Sequence, residues 1–180
     1  MGNIARIVWL AFLLATAAGC TESKPPASKT IELDKIAFEL PPGWESQEPS
    51  SKMRVAQARV PGGAGDADFA VFYFGEGKGG TAEENIARWA NQIEFAPGSA
   101  TGNEQFDTQG FLIRWVNFEG TLKAAPLMGG PTAPQPSSRL LGAVVEGPGG
   151  PWFFKATGPS ATLAPQRDAF VQMLSSIRGK

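Results

Sequence analysis

Several short stretches of the chain alternate apolar with polar residues, which is the pattern of β-strands that bury one face. Ile36, Phe38 and Leu40 alternate in this way before a Pro-Pro-Gly sequence that ends the stretch. The segments Arg54–Val60 and Phe111–Leu122 follow the same period of two residues. The sequence therefore predicts strands at these three places.

Residues 68–74 differ from these stretches because their apolar run is continuous. The segment reads DFAVFYF, so that six apolar or aromatic residues follow Asp68. A run of strand length without polar alternation indicates a strand that is covered on both faces. We therefore expect this strand at the centre of a sheet.

Two segments place apolar residues at helical spacing. Thr81 and Glu84 have the spacing of a capping box, which predicts a helix that begins after Thr81 and ends near Phe95. A last helix is predicted over residues 162–177, with Thr162 as its N-cap. The apolar faces of the two helices consist of Ile86, Trp89, Ala90 and Ile93 in the first, and of Leu163, Phe170, Leu174 and Ile177 in the second.

The order of the predicted elements defines the fold class. Residues 140–146 and 152–157 are two further strand candidates, joined by a Gly-Pro-Gly-Gly-Pro turn as a hairpin. Short hairpin connections require an antiparallel sheet, and two amphipathic helices need a sheet to cover. The prediction is a single α+β domain over residues 31–180, an antiparallel sheet covered by two helices.

The segment 123–139 interrupts this pattern, because its 17 residues include four prolines and two adjacent glycines without apolar periodicity. Loops longer than about 12–15 residues are uncommon in compact domains and are often functional. Leu127 and Met128 are apolar residues within it, and we consider them candidates for contact with a partner protein. The alternative is a plain surface loop.

The first thirty residues have a different character. One arginine precedes twelve apolar or small residues, 7–18, a run too short to cross a bilayer but typical of a secretory signal. The run ends in Ala17-Ala18-Gly19-Cys20, which resembles the lipobox of bacterial lipoproteins. The resemblance implies that residues 1–19 are removed as a signal peptide, that Cys20 receives lipid, and that residues 20–30 form a tether. Thr21 does not match the Asp signal for inner-membrane retention, which favours the outer membrane in diderm bacteria.

Composition excludes several classes of function. The chain has no histidine and one cysteine among 180 residues, so it has no Ser-His-Asp relay, no imidazole metal site and no internal disulfide. The net charge is −1 without clustered Lys or Arg, which speaks against nucleic-acid binding. We expect no cofactor, no metal and a monomer.

The remaining candidate sites are weak patterns. Lys78, Gly79, Gly80 and Thr81 lie between a strand and a helix, where backbone N–H groups can hold an anion. The alternative is a flexible connection.

The nearest approach to a carboxylate cluster for Ca²⁺ consists of Asp66, Asp68 and Glu76. The alternative is that these residues belong to a solvated turn. Ser160 fails the G-x-S-x-G pattern at its last position and is expected at the entry of the last helix.

The order of elements also resembles a known family. The sequence IAFELPPGW from Ile36 to Trp44, the strand, glycine loop and helix around residues 75–89, and the final strand–helix unit resemble the PsbP-like fold. That family includes extrinsic photosystem subunits and bacterial lipoproteins. The resemblance implies a PsbP-like α/β sandwich, and no site residue is carried over from it.

These observations give two hypotheses about function. The first is a non-catalytic, membrane-anchored envelope lipoprotein that acts as a protein-interaction or accessory module. The second is a carrier or sensor of a small apolar ligand held between sheet and helix. An enzyme is not expected, because no pattern of catalytic residues is present.

Overall fold

A long antiparallel sheet forms the framework of the computed structural model, which describes residues 27–95, 97–99, 102–125 and 131–180. Its strands follow in the order β3-β4-β5-β10-β9-β8-β6. β6 and β7 share the outer edge of β8, where β6 pairs with residues 120–122 and β7 with residues 111–117. The bounds are β3 Glu45–Gln47, β4 Arg54–Val60, β5 Ala67–Tyr73, β6 Ile93–Phe95, β7 Gly102–Thr108, β8 Phe111–Leu122, β9 Gln135–Glu146 and β10 Trp152–Pro159.

The strand predictions for this sheet are largely confirmed. β4 and β8 have the predicted bounds, and the β9–β10 hairpin is present with Trp152 opposite Val145. β5 lies between β4 and β10, as its apolar run indicates. Only part of it is covered on both faces, however, because Phe72 and Tyr73 are half-exposed.

A second, three-stranded sheet was not predicted. It consists of β1 Lys29–Glu32, β2 Ile36–Leu40 and β11 Arg178–Gly179, with β2 in the middle. Because β11 follows the last helix, the two ends of the domain meet on β2, a long-range pairing that local patterns do not encode.

The first helix, α1, is shorter than predicted. It spans Ala82–Ala90, with Asn91 as its C-cap, and the residues 93–95 expected to end it form β6. Ile93 pairs with Leu122 at the edge of β8. As a strand, this segment forms hydrogen bonds with backbone groups of β8 that would lack a partner if the helix continued. Trp89 of α1 packs against the sheet over Gly142, where an added Cβ would lie 2.6 Å from the indole ring.

The last helix is divided into three pieces rather than continuous over 162–177. α2 Ser160–Leu163 and α3 Arg167–Ser175 flank a 3-10 turn, Ala164–Gln166. Pro165 lacks the N–H that a regular helix needs, which explains the tighter turn. Thr162 lies inside α2 and donates a hydrogen bond of 2.7 Å to the Gly65 carbonyl, so it is not the predicted N-cap. The predicted apolar face is confirmed, since Leu163, Phe170, Leu174 and Ile177 are all fully buried.

Two apolar cores lie on opposite faces of the large sheet. One lies between this sheet, the three-stranded sheet and α3, and includes Phe38, Phe69 and Phe154. The other lies under α1 and includes Trp89, Leu140 and Phe153. The four tryptophans of the domain belong to these cores and are at most 6% exposed: Trp44, Trp89, Trp115 and Trp152. The fold is α+β and mainly antiparallel, as predicted. The sequence predicted that two helices alone would cover the large sheet, whereas the helices and the three-stranded sheet cover it together.

The predicted loop 123–139 is shorter than expected. β9 begins at Gln135, so residues 135–139 belong to the sheet, although they include Pro136. A register shift opposite Gly120 and Leu122 absorbs Pro136 and Ser137, and Ser137 adopts a φ of 51°. A strand can therefore begin here in spite of its composition.

The domain has two ends along the strand direction, and the predicted tether enters at one of them. At one end, which we call the tether end, Lys29 pairs with Leu40, and only four residues separate Leu40 from β3. At the opposite, distal end lies the turn between β1 and β2, where an added Cβ on Gly149 would lie 2.5 Å from the Lys35 side chain. The glycine loop before α1 is also at the distal end. Within the described residues, no helix is long and apolar enough to span a membrane.

Candidate functional site

The predicted anion site lies in the loop between β5 and α1. The Glu84 N–H donates to Thr81 Oγ1 over 3.2 Å, and the Thr81 N–H donates to Glu84 Oε2 over 2.9 Å. The capping box is therefore confirmed. Gly79 and Gly80 have φ values of 92° and 84°, which glycine adopts at low energetic cost.

The Glu84 carboxylate occupies the position beside the helix N-terminus that an anion would take. It already accepts the Thr81 N–H, and it lies 2.7 Å from the position of an added Cβ on Gly80. An external anion would have to displace this internal one. Anion binding by Lys78, Gly79, Gly80 and Thr81 stays a prediction, with Glu84 as the competing group.

Three other candidate residues lie outside the described part of the chain. These are Cys20, the expected site of lipid attachment, and Leu127 and Met128, the expected partner contact. The described residues that flank the second pair are joined, since the Ala125 N–H donates to the Pro131 carbonyl over 2.9 Å. The roles of all three stay predictions.

Asp68 in β5 and Asp66 just before this strand are each paired with an arginine of β4. Asp68 accepts two hydrogen bonds from Arg54, at 2.7 and 3.0 Å, and Asp66 accepts one from Arg59 at 2.6 Å. The hydrogen bond from Arg59 holds the pKa of Asp66 below its ordinary value. Glu76 lies beyond the opposite end of β5 from Asp66. The three carboxylates therefore do not converge, and the described residues contain no cluster of three potential metal ligands of the His, Cys, Asp or Glu type.

Ser160 begins α2, at the helix entry where the sequence predicts it. Its hydroxyl donates to Glu119 over 2.6 Å and accepts from Arg139 over 3.3 Å, and Arg139 also pairs with Glu119. A carboxylate that is neutralised by an arginine is a weak base, so it does not activate the hydroxyl as a nucleophile. This network joins β8, β9 and α2 and has a structural role.

A groove at the tether end was missed by the sequence analysis. It has a volume of about 580 Å³ and lies where β5 begins, β10 ends and β9 begins. Asp68, Gln135, Ser137 and Thr157 line it together with three prolines. Its volume lies within the range of about 300–1,000 Å³ common for small-molecule sites. The lining supplies hydroxyl, amide and carboxylate groups, which suit hydrogen bonding to a polar ligand rather than enclosure of an apolar one.

A smaller recess opens between the two sheets. Phe38, Phe69 and Val55 contribute to its apolar wall, and its volume is about 140 Å³. It is therefore smaller than the usual range of about 300 Å³ and more for a small-molecule site. This recess is the described feature closest to the apolar-ligand hypothesis, but it lies between sheets and not between sheet and helix.

Lys155 is an unusual half-buried amine on the α1 side of the sheet. Its Nζ donates to Gln92 Oε1 over 2.6 Å. Burial lowers its pKa to about 8, against a smaller opposing effect of Asp68. No sequence pattern singles it out, because burial of a lysine on an alternating strand depends on which helix covers it.

Comparisons with known proteins do not supply a family. No protein-family model matches the chain, and no curated protein matches it significantly.

Proposed function

We propose that the chain is the precursor of a bacterial lipoprotein and that its domain acts in the cell envelope, tethered by lipid on Cys20. The carrying observation is the sequence Ala17-Ala18-Gly19-Cys20, which follows twelve apolar or small residues and contains the only cysteine of the chain. The fold is compatible with this arrangement, since the first strand begins at Lys29, nine residues after Cys20. A mature lipoprotein terminus with several acyl chains holds its protein stably on a membrane. Thr21 favours the outer membrane where the cell has two.

We also propose that the domain is a PsbP-like α/β sandwich. A sheet with α1 on one face and a helical segment on the other is compatible with the PsbP-like α/β sandwich that the sequence resembles. The three-stranded sheet adds to the covering on the second face.

For the role of the domain, we propose a non-catalytic interaction or accessory module. Its support is that three of the candidate reactive groups are engaged in structural pairs: Ser160 with Glu119, Asp68 with Arg54, and Asp66 with Arg59. The segment with Leu127 and Met128 remains the proposed contact with an envelope protein. The apolar-ligand alternative has weaker support, because the apolar recess of about 140 Å³ is small for such a ligand.

The anchor is tested by replacing Cys20 with Ser. We expect the wild-type protein to carry acyl chains, seen in its intact mass, and to sediment with membranes. The variant should carry none and should remain unprocessed or become soluble. The proposal is wrong if the variant is cut at the same place and still sediments with membranes as the wild type does.

The interaction role is tested by crosslinking in the native envelope, followed by pull-down and mass spectrometry. A reproducible protein partner that is lost when Leu127 and Met128 are both replaced by Ser would support the role. Crosslinks that stay the same in this variant would remove the segment from the proposal.

A further inference from the structure

A buried hydroxyl lines the groove at the tether end without a hydrogen-bond partner in the described part of the chain. Ser138 of β9 is one of the residues that line this groove, and it is only 2% exposed. No hydrogen bond joins its side chain to another described residue. The same holds for the half-buried Thr157 of β10, which also lines the groove. Buried polar groups are normally hydrogen-bonded, so these two hydroxyls point to a ligand or to bound water.

The register of the sheet brings these hydroxyls beside a carboxylate. Thr157 lies opposite Asp68 of β5 on one side and opposite Leu140 of β9 on the other. Opposite residues of an antiparallel pair point to the same face, as do residues two positions apart in one strand. Ser138 therefore shares the face of Leu140, which packs under α1. The groove lies on this side of the large sheet, with Ser138, Thr157 and Asp68 in its lining.

Two carboxylates of the lining are fixed in position. Asp68 accepts hydrogen bonds from Arg54 and, over 3.2 Å, from the Gln57 amide. Asp66 is held by Arg59 over 2.6 Å. A carboxylate offers about four acceptor sites, so that each of these groups can accept a further hydrogen bond. Acceptors that are fixed before a ligand arrives cost little conformational entropy on binding.

The charge balance of the groove favours a neutral ligand. No lysine or arginine is among its described lining residues, so an anion would meet two carboxylates without a cation. A cation would find no excess of negative charge, because Arg54 and Arg59 pair with Asp68 and Asp66. The lining also contains no aromatic side chain among the described residues.

The polar groups of the groove suit sugar hydroxyls better than a peptide. β5, β10 and β9 each pair with a neighbour on both sides, so their backbone groups are not open to an added peptide strand. A sugar ring carries several adjacent hydroxyls, each of which donates and accepts, and carboxylates and hydroxyls complement them. Leu122, Pro136 and Pro159 provide apolar surface for its C–H groups. A volume of about 580 Å³ accommodates roughly one or two such rings.

We propose that the groove at the tether end binds a neutral sugar. Asp68 and Asp66 accept hydrogen bonds from sugar hydroxyls, and the hydroxyls of Ser138 and Thr157 exchange hydrogen bonds with the same ligand. This inference goes beyond the proposed function, which places a protein contact in another segment, and it does not depend on the lipid anchor.

The proposal is tested by ligand-observed saturation-transfer NMR on the full-length protein. A detergent without a sugar headgroup is used, so that the micelle offers no competing ligand. The probes are glucose, galactose, mannose and N-acetylglucosamine, each compared with its own 6-phosphate. Glucosamine is the cationic probe and acetyl-triglycine amide the neutral peptide probe. Ser138→Ala and Thr157→Val remove one hydroxyl each, and Ser51→Ala, in the exposed turn before β4, is the matched control.

We expect at least one of the four neutral sugars to bind and its 6-phosphate to bind at least about fivefold more weakly. Ser138→Ala and Thr157→Val should each weaken binding of that sugar by at least about fivefold, and Ser51→Ala should leave it unchanged. The proposal is overturned if none of the neutral sugars binds, if a 6-phosphate binds as tightly as its parent sugar, or if both groove variants bind like the wild type. Binding of glucosamine or of the peptide without binding of a neutral sugar overturns it as well.

The melting temperature of Ser138→Ala provides a second measurement. A buried hydroxyl without a partner opposes folding, so its removal should leave the melting temperature unchanged or raise it. A clear fall would show that the hydroxyl is bonded within the protein, and this would overturn its assignment to a ligand. Thr157→Val keeps the shape of a half-exposed side chain, so that the binding test stands even if Ser138→Ala folds poorly.

Discussion

At the scale of single residues, Gly142 controls how closely α1 approaches the sheet. A Cβ at this position would lie 2.6 Å from Cε3 of Trp89, well inside van der Waals contact. We therefore expect Gly142→Ala to lower the free energy of unfolding by about 1–3 kcal/mol, because either the helix or the indole ring must move. Denaturant unfolding followed by circular dichroism measures the change.

Gly63 provides the matched control for this prediction. An added Cβ there meets no atom within 4 Å. Gly63→Ala is therefore expected to change the unfolding free energy by less than about 0.5 kcal/mol. An equal loss in both variants would contradict the importance of the contact between Trp89 and Gly142.

The lowered pKa of Lys155 predicts that the free energy of unfolding depends on pH. Burial lowers its pKa from 10.5 to about 8, so between these values the unfolded chain binds more protons at this residue than the folded one. Stability at this site therefore rises as the pH rises through that window. We expect Lys155→Met, which keeps the length of the side chain, to be more stable than the wild type near pH 7, by about 1–3 kcal/mol.

This advantage should shrink as the pH rises to 10.5 and beyond, because above that value the wild-type amine is neutral in both the folded and the unfolded state. Urea unfolding of the two proteins at several pH values measures the difference, and effects of the other ionisable groups cancel in the comparison. A constant difference across the window would mean that the folded amine titrates as an ordinary lysine does.

At the scale of elements, the sequence was informative where local patterns decide the structure. The capping box at Thr81, the alternation in β8 and the continuous apolar run of β5 depend on neighbours in the chain, and all three were found. β6 and β11 could not be predicted, because short segments become strands only when a distant edge pairs with them. The apolar spacing of residues 162–177 predicts one continuous helix, but Pro165 interrupts it with a 3-10 turn.

The same distinction applies to the candidate sites. The loop of Gly79 and Thr81 is local and could be found from spacing, but its occupant, Glu84, depends on the rotamer of a side chain. The groove near Ser137 is lined by residues from four separate parts of the sequence, within 64–68, at Leu122, and within 131–138 and 157–161, so that no single stretch indicates it. The burial of Lys155 likewise depends on the position of α1 and the loop that follows it.

The connection between β8 and β9 gives a prediction at this scale. Replacement of residues 127–130 by a Gly-Ser link of equal length should change the melting temperature little, since Ala125 and Pro131 already meet through a hydrogen bond. A replacement that extends to Pro136 should be clearly destabilising, because it removes the first ladder positions of β9. Equal melting temperatures of the two variants would show that the bulged start of β9 contributes nothing to the stability of the domain.

At the scale of the whole molecule, the two cores share the strands of one sheet. Along β9, Leu140 and Val144 point into the core under α1, and Leu141, Ala143 and Val145 point into the core between the sheets. Loss of either core therefore removes half of the packing around the same backbone, which predicts a single cooperative unfolding transition.

Leu140→Ala and Phe154→Ala test this coupling from opposite faces of the sheet. Both side chains are fully buried, and we expect losses of about 2–5 and 3–5 kcal/mol, respectively. In both variants the transition seen by far-ultraviolet circular dichroism should coincide with that seen by tryptophan fluorescence, at an unchanged denaturant dependence. Trp89 reports on the core under α1, and Trp115 and Trp152 report on the other. A transition that splits in Leu140→Ala alone would show that α1 and its core unfold independently. In that case the large sheet would be held by its contacts with the three-stranded sheet and α3, and α1 would be a separately melting cover.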